Sequence, residues 1–362
     1  MSATVEFPTT RQEAWRWFDR AGLESASGTV ARGAAADADA LFLPGEGARL
    51  LFVDGRFRPE RSRLDRVVVE PLAAVGDHPL GARVAGAGWV LRLAADAIAD
   101  PVQVVYLGDG GTAHAPALIE LADDAVASVA ETYAGAGGWT NRLTTIRLGR
   151  AARLQRAVRV RHADGFVSLR DEAVLAAGAS LVTTVLGTGC SSTRIDAQVT
   201  LAGEGGYAEY GGALLTRDAE KKEAAVAVRH AAPGGQSHQL WRAVALDRSV
   251  ASLAARVEVA RDAQKTDGEQ SLRGLLLHRT ATVNLKPELE IFADDVKCAH
   301  GATVGELDAR ALFYMQSRGI PKPQAQALLT RAFVADALGR IAAETTREAW
   351  TADADRWLAE AL

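Results

Sequence analysis

A thiol and an imidazole two positions apart are the groups in this chain best suited to chemistry. They are Cys298 and His300, in the segment ADDVKCAHGAT at 293–303, and Cys298 is one of only two cysteines in 362 residues. Side chains alternate across a strand, so positions 298 and 300 would share a face. A thiolate and a neutral imidazole suit iron–sulfur units, zinc or copper. Two ligands do not close a tetrahedral site. The other thiol, Cys190, is far away in sequence, so a cluster here needs ligands from another chain. The competing readings are a structural zinc site, or a buried cysteine beside a core histidine, since free cysteine is among the most buried residue types.

Other constellations carry less. His230, Pro233, Ser237 and His238 place a base near a hydroxyl, which invites a hydrolase reading. No Gly-x-Ser-x-Gly elbow accompanies them, and Pro233-Gly234-Gly235 predicts a turn. The run from Val104 through Gly108-Asp109-Gly110-Gly111-Thr112-Ala113 imitates a dinucleotide loop. Such a loop must open a long helix, and Pro116 and Asp123-Asp124 interrupt the segment where that helix would lie. No Gly-x-x-x-x-Gly-Lys-[Ser/Thr] motif occurs, so no nucleotide is expected on this chain. Asp294-Asp295 reads as a solvated turn, because nothing nearby pairs an acid with a base.

Three kinds of element must position these residues. At 9–22 the pattern predicts a short amphipathic helix with Trp15 and Phe18 on one face, ended by Gly22. From about 38 to 293 short β-branched runs alternate with Gly, Asp and Ala, among them 50–53, 67–69, 102–107 and 158–160. Ala125, Ala152, Ala179 and Gly206 recur at intervals of 27, followed two positions later by Ala127, Leu154, Leu181 and Ala208. A fixed period with small residues at one phase marks a solenoid, with coils that stack on one another. An antiparallel sandwich would also show many short strands, but Asn-Gly hairpin turns are absent and Gly-Ala corners abound. After 303 the texture turns helical: 308–318 with a Gly319-Ile320-Pro321 stop, 323–344 with an apolar stripe, and 346–360 with Trp350 and Trp357 on one face. The organisation expected is a helical cap at 1–37, a β core at 38–303 and a helical module at 304–362.

Composition narrows the class. Apolar content of 48% and charged content of 24% are those of a globular protein with a sizeable core. A net charge of −4 without any long Lys/Arg run argues against nucleic acid. Two distant cysteines make no disulfide framework and fit a reducing compartment. The first residues lack an apolar signal core, and apolar runs stop well short of the ~18 residues of a membrane span. A cytoplasmic protein away from membranes is the expectation.

Three tracts in order, KPELEI at 286–291, ADDVKC-x-HGAT at 293–303 and ALFY-x-x-SRGI at 311–320, resemble the SufB/SufD family of the Suf iron–sulfur cluster assembly complex. The C-x-HGAT form resembles the SufD branch. AQKTD at 263–267 and H-x-x-P-x-x-x-S at 230–237 extend the likeness, while Ala299 stands where the family usually has Ser. The resemblance implies a mainly β protein, a right-handed parallel β-helix flanked by helical segments. It implies a non-enzymatic scaffold that pairs with a SufB-like subunit through the β-helix and binds the ATPase SufC through the C-terminal helices. A homodimer is a further option for the isolated chain. Cys298 and His300 would lie near the subunit interface, beside iron or a nascent iron–sulfur cluster that is transient and shared with SufB. The alternative reading is a β-helix carbohydrate-active enzyme, a polysaccharide lyase or hydrolase.

Overall fold

Small and apolar residues recurring every 27 positions stack into coils. In the computed structural model, which describes residues 7–30, 37–73 and 75–362, Leu154 pairs in parallel register with Ala127 on one side and Leu181 on the other. Leu181 pairs in turn with Ala208. Two sheets of ten and nine strands result. They form a mainly β, parallel solenoid of about eight turns, with helices at its N- and C-terminal ends. The sequence repeat fades beyond 215 because the coils lengthen. Tyr207, Gln236 and Asp267 occupy equivalent rungs at intervals of 29 and 31.

One corner of each coil shows why the repeat carries small or turn-forming residues. Seven stacked residues there, from Asp96 and Asp124 through Gly178 and Gly205 to Lys265, adopt positive φ. Each donates its backbone N–H to a carbonyl of the next coil, beginning with Asp96 to Asp123 and ending with Lys265 to Asp295. The left-handed turn aims the donor along the stack, which satisfies corner groups that strand pairing cannot reach. The Gly-rich run 108–111 is a corner between the strands Val102–Gly108 and Thr112–Leu121, with no helix after it.

Within the largely apolar lumen lies a buried ion cage. Glu131 and Arg156 from one sheet meet Arg142 and Asp171 from the other, all four within 2% of full burial. Arg156 reaches Glu131 at 2.5 Å and Asp171 at 2.7 Å, and Arg142 reaches Asp171 at 2.9 Å. Tyr133 and Tyr210 hydroxyls donate to Glu131 and Asp171 at 2.6 and 2.7 Å. Burial works against ionisation of Asp171, but the two guanidinium groups outweigh it and bring the carboxyl down to about 2.

Helices lie outside the stack, most of them against a sheet face. Among them α1 (Arg20–Ser27), α2 (Ala309–Ser317), α3 (Lys322–Leu338) and α4 (Glu344–Ala361) are α-helical. Val334, Leu338, Trp350 and Trp357 from α3 and α4 pack on Leu186, Leu215 and Val244 of the ten-stranded sheet. Asp353 of α4 fixes the docking by accepting from Arg159 at 2.8 Å, with Arg161 at 3.4 Å.

The N-terminal segment departs from expectation. Residues 13–15 form a single 3-10 turn, and the α-helix begins only at Arg20. Gly22 sits inside that helix and does not end it; it is a close-approach glycine, since a Cβ there would meet the Asp19 carboxylate at 2.3 Å. Trp15 and Phe18 are buried together all the same, Trp15 under the Arg194 guanidinium at 3.8 Å. Arg194 also holds Asp196 and Glu223, and burial pushes Glu223 up to about 7. These carboxylates anchor the segment to the nine-stranded sheet. Residues 1–6 and 31–36 of the predicted cap lie outside the described residues.

The two ends of the stack differ. At the N-terminal end, Arg56–Phe57 and Val67–Leu72 fold back antiparallel and finish the two sheets as short strands. At the C-terminal end the last strands, Thr282–Ile291 and Lys297–Glu306, each pair on one side only among the described residues. Lys297–Glu306 has no buried residue, and Ile291, Phe292 and Val304 are exposed. An unpaired strand edge of this length, with apolar side chains exposed beside it, is a template for another chain.

Candidate functional site at the open end of the β-helix

Cys298 and His300 lie on that terminal strand, and register fixes which way they face. Cys298 pairs with Gly268, and His300 with Gln270. Gly268, Gln270 and Leu272 are the inward, buried phase of the strand Asp267–Leu276. The thiol and the imidazole therefore both face the lumen at its uncovered mouth. Cys298 continues the column Ala127, Leu154, Leu181, Ala208, Ser237 and Gly268, the phase at which the 27-residue repeat was legible.

Cys298 is half-buried against Val257, Val259, Ala263 and Ala293, while His300 is exposed. A Cβ on Gly268 would lie 3.4 Å from the sulfur, so the absent side chain leaves the thiol a seat on the inner wall. Burial pushes the thiol above its ordinary value; the Gly268 backbone partly offsets this and the nearby Asp267 carboxylate adds to it. A metal arriving here must displace a proton to gain a thiolate ligand. Among the described residues no three His, Cys, Asp or Glu side chains converge as a metal site. The pair offers one sulfur and one imidazole on a strand whose outer edge is unpaired among the described residues, two donors where a tetrahedral site needs four.

The remaining candidates separate from this pair. Cys190 is fully buried at a corner with a positive φ of 81°, its sulfur 3.0 Å from the Gly165 carbonyl and 3.1 Å from that of Ser192. Burial pushes its thiol up to about 12, so it is an inert structural thiol. His230 and Ser237 are brought together, 2.8 Å apart, but both are sealed in the core. Burial pushes the His230 imidazole down to about 4, and Gly234 turns the chain between them at φ 68°. Asp295 pairs with Lys265, and its backbone N–H donates to Gln264 at 2.9 Å, while Thr266 bonds the Ala263 carbonyl at 2.8 Å. The AQKTD tract thus satisfies the corner where the stack ends.

Sequence reasoning passed over two glutamines below His300. Gln239 and Gln270 pair with each other on successive rungs and are each 1% exposed. Their amide nitrogens donate across the lumen to the Arg256 and Glu288 carbonyls at 2.9 and 3.2 Å. The available signal was a glutamine among the small and apolar residues that share the inward phase of each strand.

Comparison with known proteins places this architecture. The family described as SUF system FeS cluster assembly, SufBD core domain, matches residues 105–333. The chain is 27% identical to the iron–sulfur cluster assembly protein SufD of Escherichia coli over 355 aligned positions, covering 91% of this chain and 84% of that protein. It is 28% identical to an iron–sulfur cluster assembly SufBD family protein of Mycobacterium tuberculosis, covering 70% of this chain and 67% of that protein. A SufBD family protein of Synechocystis is 38% identical over a shorter stretch, 35% of this chain and 28% of that protein.

Proposed function

Because this chain belongs to the SufBD core family of the SUF iron–sulfur cluster assembly system, we propose that it is the SufD-type scaffold subunit, joined to a SufB-like chain at the open end of its β-helix. The observation that carries this reading is the asymmetry of the stack. One end finishes in reversed strands of two and six residues, and the other in two parallel ten-residue edges with a Cys–His pair on the last of them. A partner strand added to either edge would satisfy its free backbone groups. The same partner would bring the ligands that Cys298 and His300 lack. Iron or a nascent cluster is then cargo held at the seam, shared between the chains, and the subunit itself turns over no substrate.

The second partner surface is α2. It has no buried residue, with Phe313 and Tyr314 exposed by 73% and 60%. Large exposed aromatic side chains on one helix are typical anchors of a docking surface. In this reading α2 receives the SufC ATPase, while α3 and α4 serve mainly to roof the sheet. Changing Phe313→Asp together with Tyr314→Ser should weaken SufC binding at least tenfold in a pull-down or titration, with SufB pairing untouched. Unchanged SufC affinity would remove α2 from the interface. Truncation of the whole module is a poorer test, since it would bare Leu215 and Val244.

The test of the function as a whole is purification of the chain from its own host cytoplasm. SufB-like and SufC-like proteins should co-purify, together with iron and acid-labile sulfide. Recovery of the chain alone, or with unrelated partners, contradicts the assignment. No helix among the described residues is long and apolar enough to cross a membrane. The carbohydrate-active reading finds less support, since the buried pair Asp196 and Glu223 is engaged by Arg194.

A further inference from the structure

We propose that Gln270 positions His300, accepting a hydrogen bond from one imidazole nitrogen so that the other presents its lone pair to the metal. The inference rests on the reading of Cys298 and His300 as ligands. Its own support is a buried acceptor with nothing to accept. Gln270 is 1% exposed, and its Oε1 has no hydrogen-bond partner, although its Nε2 is used by the Glu288 carbonyl at 3.2 Å. A buried carbonyl left unpaired loses its hydration without a compensating bond, which is unfavourable. A leucine or methionine at this rung would avoid that cost, so the carboxamide needs a reason.

The register supplies one. His300 is the direct strand partner of Gln270 and faces the same lumen. Stacked rungs are roughly 4.8 Å apart, within reach of an imidazole folded down onto the carboxamide below. His300 is exposed and so free to adopt that rotamer. Nε2 of Gln270 is anchored to the opposite sheet, which fixes the amide plane and leaves Oε1 as an acceptor under the ring. Histidines that bind metal almost always donate their second N–H to such an acceptor, which sets both tautomer and ring orientation. Gln239, one rung deeper, repeats the arrangement with its own Oε1 unpaired, but has Gln270 rather than a histidine above it.

The test separates this role from plain structural support. The full-length, metal-free chain is labelled with 15N-histidine and examined where imidazole is neutral. The His300 signals are assigned by their loss in His300→Ala. Wild type should show one dominant tautomer. Gln270→Met removes the acceptor and should give the mixed pattern of a free imidazole. Gln270→Glu keeps an acceptor while losing the donor to Glu288, and should retain the single tautomer. Gln239→Met, a comparable loss one rung away, should leave the His300 signals unchanged. Thermal melting of each variant reports folding separately. A mixed tautomer in wild type, or identical His300 signals in wild type and a folded Gln270→Met, overturns the proposal. So does a folded Gln270→Glu that matches Gln270→Met. None of these outcomes depends on metal binding, so the ligand reading can fail or survive on its own evidence from cluster yield.

Discussion

Replacing Cys298 with Ala should reduce cluster formation on the reconstituted complex by at least tenfold, with folding intact, and His300→Ala should do the same. Both expectations follow from position. Cys298 is only half-buried, at the last rung, and contacts a small apolar cluster of Val257, Val259, Ala263 and Ala293. Truncating its thiol removes one sulfur from a rim that already meets solvent, so the stability cost is small beside a core truncation, which runs to about 2–5 kcal/mol. His300 is exposed and contributes even less to packing. The functional cost is large because a cluster that loses one of few ligands has no substitute nearby among the described residues. Iron and sulfide bound per complex is the measurement, with a thermal melt of each variant beside it. Undiminished yield in both variants removes the metal role from this pair and leaves the strand edge as a purely mechanical contact.

The largest stability effect is expected at the opposite kind of site, deep in the lumen. Asp171→Ala should destabilise the chain by about 3–5 kcal/mol, the cost of stranding a buried charge whose partner is removed. Arg142 and Arg156 would be left facing each other with only Glu131 between them. The wild-type cage also carries a pH signature. The folded Asp171 carboxyl titrates near 2, below its ordinary value of about 3.8, so its contribution is complete above pH ~4 and is lost as pH falls toward 2. Glu131 is shifted in the same direction, burial again being outweighed by Arg142 and Arg156. Denaturant melts at pH 7 and at pH 3 should therefore differ clearly in wild type, and less so in Asp171→Asn. Equal stability of wild type and Asp171→Ala at pH 7 would show that the cage contributes nothing net.

How much of this was legible beforehand follows from which physical signals survive in one dimension. The stacked column was visible at Ala125, Ala152, Ala179 and Gly206, because corner geometry tolerates only small side chains there. The terminal helices were visible through spacing: Asp308 caps α2 by accepting from Arg310, and Gly319 follows it at φ 85°. Cys298 and His300 could be placed on one face from alternation alone. Which face was not legible, since inward and outward phases differ only through pairing with Gly268 and Gln270. The ion cage was invisible because Glu131 and Arg142 come from different sheets, and no local pattern brings them together. The N-terminal helix was misread because Trp15 and Phe18 mimic helical spacing while actually gripping Arg194 from a distant strand. The open end could not be read at all, since a free edge is a property of the whole stack.

The seam itself is most directly tested by the reactivity of the two thiols. In the isolated chain, slow alkylation above neutral pH should label Cys298 and spare Cys190, which is sealed at its corner and serves as an internal control. On addition of the SufB-type partner, the Cys298 rate should fall by at least tenfold while Cys190 stays unlabelled. A Cys298 rate that is the same in the stable complex as in the free chain would contradict the account, because the partner would then be seated somewhere other than the mouth of the β-helix.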